Sequence, residues 1–563
     1  MKRINTLGLL ISCFILGGCM SIGLNFKYKT PKNASKYPKF QLKDSLLGYN
    51  NEYRNCYDVK HYDINLKINI DEKCIAGSVK TNFSLLKKTS IIQIDLDPQF
   101  KIDSIVQNHT ALKFTRKLSA LFVNLISNDS LQSITVFYNG KPKIAKKAPW
   151  QGGFVWKKDK NKNPFVSLAC EGDGAQVWLP IKSYLGDEPD SVTTHYTVPN
   201  NLVAVSNGKL TSVIDNGNFK TFTWQTSYAI NPYNISMYIG KYKSIQADYT
   251  CIDGEHMILN HYVLDYNYSK ALDHFKQVEG ILKTFEELFG KYPWPKDGYK
   301  LVESPFAGME HQTAIAYGNG YKNEKNETYD YIILHETAHE WWGNAVSVSD
   351  FSDLWIHEGI ATYAEALFVE KTKGYKAYID YTYWNSILVK NKKPIIGPKD
   401  VYYSDYKDGD VYMKGAVMLH TLRNHINNDT LFFSILKTFF KENCYKIVTT
   451  SDFIKIVNKL TGKDYNYFFN QYLYKRESPL LKWNFDHNEN TGLDVLIFQF
   501  ERVNPDFTLL IPVEQGKSRF YIIPSSKPQY ITLPSPASEP VSVNYKNSYI
   551  QDGFKKMKRI KSK

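Results

Sequence analysis

The segment HETAHEWWGN, which begins at His335, restricts the possible folds of this chain more than any other part of it. His335 and His339 are four residues apart, which on an α-helix corresponds to about 6 Å of rise and about one turn. Both imidazoles therefore leave one face of the helix, and Glu336 lies beside them. Because two neutral imidazoles on one face can bind Zn²⁺, the spacing predicts a helix that carries part of a metal site.

A catalytic zinc site needs a third protein ligand and one open position. Glu358 can supply that ligand from LWIHEGIATYAEAL, a segment with a helical pattern. A second helix that runs antiparallel to the first would return its carboxylate to the two imidazoles, and Glu336 would act on water without binding the metal. An ordinary helical role for these residues is the alternative, but a chance HExxH occurs only about once in a hundred chains of this size.

The residues before this segment have a β pattern. Apolar and polar residues alternate from Tyr62 to Ile70, and the runs 92–96 and 134–138 repeat the alternation. Period two indicates strands with one buried and one solvated face. We therefore predict that residues 51–245 form an N-terminal domain of antiparallel β-strands.

The remaining chain has two further patterns. Apolar residues at helical spacing fill ALDHFKQVEGILKTFEELFG, which ends at Gly290, a typical helix stop. Helical patterns continue to about residue 475, and short strands such as LDVLIFQF and FTLLIPVE follow. The prediction is a multidomain α+β chain with a mainly helical catalytic domain at 246–475 and a small β-sandwich at 476–554.

The first residues have the features of an export signal. Lys2 and Arg3 precede an apolar stretch, and LGGC then ends at Cys19. We interpret 1–18 as a bacterial lipoprotein signal peptide, Cys19 as the lipid-attachment site and 19–50 as a flexible tether. An ordinary signal peptide with an incidental cysteine is the alternative. The predicted location is the bacterial cell envelope, with the choice between inner and outer membrane left open.

The composition excludes several classes of protein. Hydrophobic residues make up 43% of the 563, enough to bury a core, so a mainly disordered chain is excluded. The mean hydropathy of -0.39 excludes a multi-span membrane protein. The net charge is +14, but the Lys residues are scattered and no nucleic-acid module is recognisable, so no nucleic-acid partner is predicted. The basic tail at 555–563 is expected to fray or to touch acidic lipid headgroups.

Four motifs together resemble those of a known family. They are HExxH followed after 18 residues by Glu in a WxxEG context, AGMEHQ at Ala307–Gln312, VYMKGAVMLHTLR from Val411, and SLACEGDGAQVWLP followed by GDEPD. In this order they resemble the gluzincin metallopeptidases, specifically the aminopeptidase N family. The resemblance covers most of residues 55–475 and implies a thermolysin-like catalytic domain.

The resemblance implies a zinc-dependent aminopeptidase with one Zn²⁺ per chain. His335, His339 and Glu358 would bind the metal, and Glu336 would act as general base towards a metal-activated water. Tyr412, the Tyr of YMKG, would stabilise the oxyanion. Glu365 is a hypothetical partner of one of the His ligands.

The same resemblance implies peptide substrates with a free N-terminus. Glu310 would pair with the substrate α-ammonium, through a charge-assisted bond worth about 1.5–3 kcal/mol. Glu171 would be a second carboxylate with this role. The backbone and side chains of Ala307, Gly308 and Met309 would contact the substrate.

Several positions depart from the family pattern. Ala307 stands where Gly is usual, His311 where many members have Asn, and His357 where Asn commonly precedes the ligand Glu. About 90 residues follow position 475, so the large helical C-terminal domain of many members is not expected. We therefore predict a more open cleft that admits longer peptides.

Two other functions remain possible at this point. One branch of the family has epoxide-hydrolase activity, although nothing in the sequence indicates a lipid tunnel. A non-catalytic, peptide-binding surface lipoprotein would need a damaged metal or base position, and His335, Glu336, His339 and Glu358 are all intact. Trp341, Trp342 and Trp355 flank the zinc helices, and we interpret them as core residues rather than substrate contacts.

Overall fold

The computed structural model of this chain describes residues 37–403, 406, 408–488, 493–534 and 539–554. The predicted signal peptide, Cys19 and the basic tail lie outside these residues, as does the first part of the predicted tether. None of the described helices combines the length and apolar character that crossing a bilayer requires.

The end of the predicted tether differs from the expectation. Residues 42–48 form a helix, α1 (Leu42–Gly48), that begins after the N-cap residue Gln41. The backbone N–H of Gln41 donates to the Asp44 carboxylate at 2.7 Å, which closes the first turn. Arg54 and Gln93 donate to carbonyl oxygens of this helix, so this part of the chain is attached to the body of the protein and is not a free linker.

The N-terminal part consists of β-strands, as predicted. They are β1 (Tyr57–Asn69), β2 (Cys74–Leu85), β3 (Ile91–Asp95), β4 (Lys101–Gln107), β5 (Thr110–Ala111), β6 (Phe114–Lys117), β7 (Ala120–Asn124), β8 (Leu131–Gly140), β9 (Gly153–Lys158), β10 (Pro164–Ala169), β11 (Ser191–Pro199), β12 (Val203–Val205), β13 (Lys209–Asp215), β14 (Phe219–Gln225) and β15 (Tyr238–Gly240).

These strands form three sheets. The largest has the order β13-β14-β11-β1-β2-β8-β4-β5, and the others have the orders β12-β15-β10-β9 and β3-β7-β6. In β1 the alternation has the predicted effect, since Tyr62, Ile64, Leu66 and Ile68 are buried while their neighbours are more exposed. Most neighbours are antiparallel, but β1 pairs with β11 in parallel. The expectation of a purely antiparallel domain was wrong at this pair, because the partner strand comes from a distant part of the sequence.

The catalytic part contains helices and a mixed sheet. Its strands are β16 (Tyr242–Thr250), β17 (His256–Leu264), β18 (Leu301–Glu303), β19 (Gly308–Met309), β20 (Ile315–Tyr317), β21 (Val346–Val348) and β22 (Lys446–Val448). Its helices are α2 (Tyr268–His274), α3 (Gln277–Phe289), α4 (Tyr331–Ala338), α5 (Trp355–Lys373), α6 (Tyr375–Leu388), α7 (Asp410–Ile426), α8 (Asp429–Asn443), α9 (Thr450–Thr461) and α10 (Asn466–Tyr474).

Two features of this part differ from the sequence pattern. The strands β16 and β17 belong to the sheet β16-β17-β18-β20-β19, so the catalytic part starts with strands, and the first begins before residue 246. The helix predicted up to Gly290 is interrupted after His274, where Phe275 is buried in the core. Its predicted end is correct, because α3 stops at Gly290, whose φ is +121°.

The C-terminal part contains two small sheets. Its strands are β23 (Leu480–Asn488), β24 (Leu493–Glu501), β25 (Ile511–Gln515), β26 (Ser518–Ile522), β27 (Gln529–Thr532), β28 (Val541–Val543) and β29 (Gln551–Asp552). They have the orders β27-β24-β23-β29 and β26-β25-β28. Their buried residues share one hydrophobic cluster with the helices of the catalytic part. The buried residues of the N-terminal strands form a second cluster, which also includes Met309 and other residues of the catalytic part.

Candidate metal centre

The helix α4 carries His335 and Glu336 and begins at a well-satisfied N-cap. Asp330 accepts a hydrogen bond from the backbone N–H of Ile332 at 2.9 Å. Its other carboxylate oxygen lies 2.9 Å from Nε2 of His274. The backbone of His339, directly after α4, keeps helical angles of φ −64° and ψ −21°. The predicted four-residue spacing on one face is therefore present.

Three side chains converge on one point. Nε2 of His335 and Nε2 of His339 are 3.1 Å apart. Oε2 of Glu358, from the first turn of α5, lies 3.5 Å from the first nitrogen and 3.3 Å from the second. Donors bound to a tetrahedral zinc ion are separated by about 3.3 Å. The described residues thus offer a triangle of ligand atoms with the dimensions that Zn²⁺ requires.

The hydrogen bonding of these groups also fits a cation. Oε2 of Glu358 is buried and has no hydrogen-bond donor. Burial opposes ionisation of Glu358, but its contacts with the two imidazoles outweigh burial and lower the pKa of this carboxyl. Oε2 of Glu358 and the two Nε2 atoms can all act as lone-pair donors to a cation, so a shared divalent ion fits between them.

The far side of each imidazole is held by another group. Nδ1 of His335 lies 2.5 Å from Oε1 of Glu365, the residue suggested from the sequence. Tyr381 donates its hydroxyl to the other oxygen of Glu365. Nδ1 of His339 lies 2.9 Å from the carbonyl oxygen of Trp342. With Nδ1 engaged in this way, each ring presents Nε2 to the metal position.

Glu336 lies beside the triangle, opposite the short edge strand β19. It is 7% exposed, and burial raises the pKa of its carboxyl to about 7. A Cβ atom on Gly308 would come within 2.3 Å of Oε1 of Glu336 and 2.8 Å of a methyl group of Ile332. The absence of a side chain at Gly308 therefore leaves the space that the Glu336 carboxylate occupies.

Glu310 is held at a set distance from the triangle. Oε2 of Glu310 lies 3.5 Å from Nε2 of His339, and Oε1 accepts a hydrogen bond from the hydroxyl of Tyr233 at 2.7 Å. Its loop is fixed because Thr313 donates its backbone N–H to Glu340 at 2.9 Å. Burial raises the pKa of the Glu310 carboxyl. The structure thus places a buried carboxylate next to the candidate metal ligands.

Glu171 reaches the same pocket from the N-terminal β part. One ligand atom each from Glu171, Glu310 and His357 lie within 4.8 Å of one another. Oε1 of Glu171 and both ring nitrogens of His357 are buried without a hydrogen-bond partner. Burial raises the pKa of Glu171 well above its usual value and lowers that of His357 to about 3. This corner of the site therefore contains buried carboxyl and imidazole atoms whose hydrogen-bonding capacity is unused.

Tyr412 enters the site because two helices cross closely. A Cβ atom on Gly359 in α5 would lie 2.9 Å from the Cα of Gly415 in α7, so only glycine permits this approach. The crossing brings the half-buried ring of Tyr412 to 6.1 Å from the ring of His335, between centroids.

The other residues singled out from the sequence have varied positions. Ala307 is half-buried, whereas Met309 is buried in the hydrophobic cluster of the N-terminal part. His311 is buried with Nδ1 2.5 Å from the hydroxyl of Tyr238, so it belongs to the core. The prediction of core packing is confirmed for all three tryptophans, which are 0% exposed: Trp341, Trp342 and Trp355.

Two residues of the site had no signal in the sequence. Tyr233 and Tyr381 bind Glu310 and Glu365, but each is one of 41 tyrosines and lies in no recognisable motif. The residues next to each tyrosine in the sequence do not indicate its partner, because the two come into contact only when the chain is folded.

Known proteins resemble this chain in both sequence and fold. Residues 274–472 match the Peptidase family M1 domain. Aminopeptidase N of Streptomyces lividans is 26% identical over 303 residues, which are 49% of this chain and 34% of the relative. Leucine aminopeptidase 2 of Vanderwaltozyma polyspora is 27% identical over 376 residues, 62% of this chain and 53% of the relative. Leukotriene A-4 hydrolase of Xenopus laevis is 24% identical over 330 residues, which are 54% of this chain and 50% of the relative.

These matches span about a third to a half of the length of the curated relatives. A solved M1 zinc metallopeptidase mutant from Deinococcus radiodurans, bound to a Tyr-Ser-Ala substrate, has a TM-score of 0.64 and 20% identity. The similarity covers 77% of this chain and 97% of that one, and it confirms a multidomain fold with a β-rich N-terminal part, helices and C-terminal sheets. The predicted resemblance to the aminopeptidase N family is likewise confirmed. Residues 274–472 are therefore similar to the Peptidase family M1 domain, and the chain has the fold of the solved M1 zinc metallopeptidases.

Proposed function

We propose that this chain is a zinc-dependent aminopeptidase that removes N-terminal residues from peptides. The observation that carries the proposal is the buried carboxylate of Glu310, 3.5 Å from Nε2 of the candidate ligand His339. Because the Glu310 carboxylate is fixed beside the three candidate ligands, it limits the distance between the substrate's α-ammonium group and the peptide bond that is cleaved. The similarity to proteins named aminopeptidase supports the same activity.

His335, His339 and Glu358 are the residues that would hold the metal. A zinc ion bound there supplies Lewis-acid polarisation of the peptide carbonyl and makes water more acidic. The chain itself supplies the proton transfers. The Glu336 carboxylate takes a proton from the attacking water and delivers it to the leaving amine. The hydroxyl of Tyr412 donates a hydrogen bond to the oxyanion that develops on the carbonyl oxygen.

Glu310 and Glu171 explain why such an enzyme would trim ends. Their carboxylates pair with the α-ammonium of a substrate, whereas an internal peptide segment would leave them buried and unpaired. The strand β19, Gly308–Met309, is the last strand of its sheet, so one side of its backbone is free to pair with an extended substrate.

We also propose that lipid on Cys19 anchors the chain to the bacterial cell envelope. The basic start, apolar stretch and LGGC sequence support this location. Metabolic labelling with a radioactive fatty acid tests it, because label should enter the unmutated chain and not the Cys19→Ser variant. Equal labelling of the two would contradict lipid attachment at this residue.

The enzymatic proposal is tested on the purified full-length protein. We expect about one zinc ion per chain by mass spectrometry, hydrolysis of leucyl 4-nitroanilide and no hydrolysis of its N-acetylated form. Glu336→Gln should retain zinc and lose about 10²–10⁴-fold in kcat, the usual contribution of a general base. Stoichiometric zinc without turnover would favour a peptide-binding protein, and equal cleavage of the acetylated compound would contradict the role of Glu310.

A further inference from the structure

The segment 37–49, which we call the strap, is attached to the N-terminal β part. Arg54 donates from Nη1 to the carbonyl oxygen of Leu47 at 2.7 Å. Gln93 donates from Nε2 to the carbonyl oxygen of Leu46 at 3.0 Å. Because both donors lie on the body of the domain, the strap has a defined position on its surface.

The strap in turn contacts residues 393–403, which we call the strapped loop. The backbone N–H of Tyr402 donates to the carbonyl oxygen of Asp44 at 2.9 Å. A Cβ atom on Gly48 would lie only 2.3 Å from the carbonyl carbon of Val401. The two backbones are therefore in direct contact, and a side chain at Gly48 would force them apart.

Aromatic contacts extend this interface. The ring of Tyr403 lies 6.3 Å from that of Tyr37 and 5.4 Å from that of Phe40, measured between centroids. Nζ of Lys393 lies 5.2 Å from the centroid of Tyr37. Such ring and cation–π contacts each add stabilisation beyond the area that they bury.

The opposite side of the strapped loop contacts the substrate site. The hydroxyl of Tyr402 donates to the carbonyl oxygen of Glu171 at 3.1 Å. A Cβ atom on Gly174 would lie 2.7 Å from this hydroxyl, so the tyrosine fits closely against the turn 170–174. The ring of Tyr402 also packs on Phe351, with centroids 4.7 Å apart. Tyr402 is therefore the residue that joins the strap to the Glu171 turn.

We propose that the strap positions Glu171 by clamping Tyr402 of the strapped loop against the turn 170–174. This inference rests on the proposed function, in which Glu171 pairs with the substrate ammonium. A bond to the ammonium is made in the bound substrate and in the transition state alike, and its loss raises KM with little change in kcat. Tyr402 and the strap are thus positioning elements, since only Glu171 touches the substrate.

The experiment compares five variants of the whole chain, two internal deletions and three substitutions, with the unmutated protein. An internal deletion of 37–48 removes all but the last residue of the strap, and deletion of 25–36 is a control of equal length. Gly48→Val separates strap and loop, and Lys43→Ala, at an exposed position of the same helix, is its control. Tyr402→Phe removes only the hydroxyl that reaches Glu171. KM and kcat are measured with leucyl 4-nitroanilide, and hydrogen–deuterium exchange is measured in the turn 170–174.

We expect KM to rise about tenfold in the strap deletion and in Gly48→Val, and about threefold to tenfold in Tyr402→Phe, with kcat within about threefold. Exchange in the turn 170–174 should accelerate in these variants and stay unchanged in both controls. Unchanged exchange, or a loss in kcat at constant KM, would overturn the proposal. If the unmutated protein cannot hydrolyse the amide, the proposed function fails, while the exchange comparison still decides whether the strap orders this turn.

Discussion

Replacement of Gly308 by alanine tests how closely the candidate general base is confined. Gly308 lies in an edge strand with ordinary backbone angles, so alanine itself is compatible with the backbone. The added methyl group, however, would lie 2.3 Å from Oε1 of Glu336. The carboxylate must retreat by about 1 Å to reach van der Waals distance. A misplacement of this size can lower a rate by about 10²-fold.

We therefore expect Gly308→Ala to lose about 10²-fold in kcat for leucyl 4-nitroanilide, while it binds the same amount of zinc. Glu336 is the end of a flexible side chain, so its own displacement should cost little folding stability. The contact of 2.8 Å with the Cγ2 methyl group of Ile332 should lower the melting temperature by a few degrees. The control is Gly280→Ala, at a helical position where a Cβ atom meets nothing within 4 Å. This control should keep full activity and gain slightly in thermal stability.

Two results would refute this reasoning. A kcat within threefold of that of the unmutated protein would mean that Glu336 is not confined at the position where it acts. A loss of zinc would mean that the methyl group damages the metal site as a whole.

Three further predictions concern other parts of the chain. Glu365→Gln should weaken zinc binding by about 10–100-fold in a chelator competition, because Glu365 orients His335; unchanged affinity would show that the contact of 2.5 Å does not matter. Burial raises the pKa of the Asp410 carboxyl from the usual 3.8 to about 6. As the pH rises, the unfolded chain therefore loses this proton before the folded chain does. The free energy of unfolding should fall by up to about 3 kcal/mol as the pH rises between these two values. Relative to the unmutated protein, Asp410→Asn should therefore raise the melting temperature more at pH 7 than at pH 4. An equal effect at both pH values would contradict the raised pKa of Asp410. If the cleft is open, as the sequence predicts, decapeptides should be trimmed at least as fast as dipeptides. A strong preference for dipeptides in a chromatographic assay would exclude the open cleft.

Two of the candidate metal ligands, His335 and His339, were recognisable from the sequence because helix geometry is local. The four-residue spacing of His335 and His339 determines one face, whatever surrounds it. The alternation in β1 and the stop at Gly290 follow from equally local rules, and the structure contains both.

Shorter and more distant features were not recognisable in this way. The strands β18 and β20 contain three residues each, too few for a period to be visible. The parallel pairing of β1 with β11 joins distant segments and leaves no trace in either segment alone. The predicted tether ends in a folded strap because Arg54, Gln93 and Tyr402 meet its backbone, and the polar composition of the segment does not reveal these contacts.

The sequence by itself indicated that His335 and His339 share one helix face with Glu336 beside them, since these relations span little more than one helical turn. Glu358 lies on another helix, and only its motif identified it. Only the tertiary structure decided what holds those side chains in place. Tyr233 reaches Glu310 across 77 positions, and the Gly359–Gly415 contact brings Tyr412 into the site. Contacts of this kind depend on the path of the whole backbone, and neither partner's neighbours in the sequence carry information about the other.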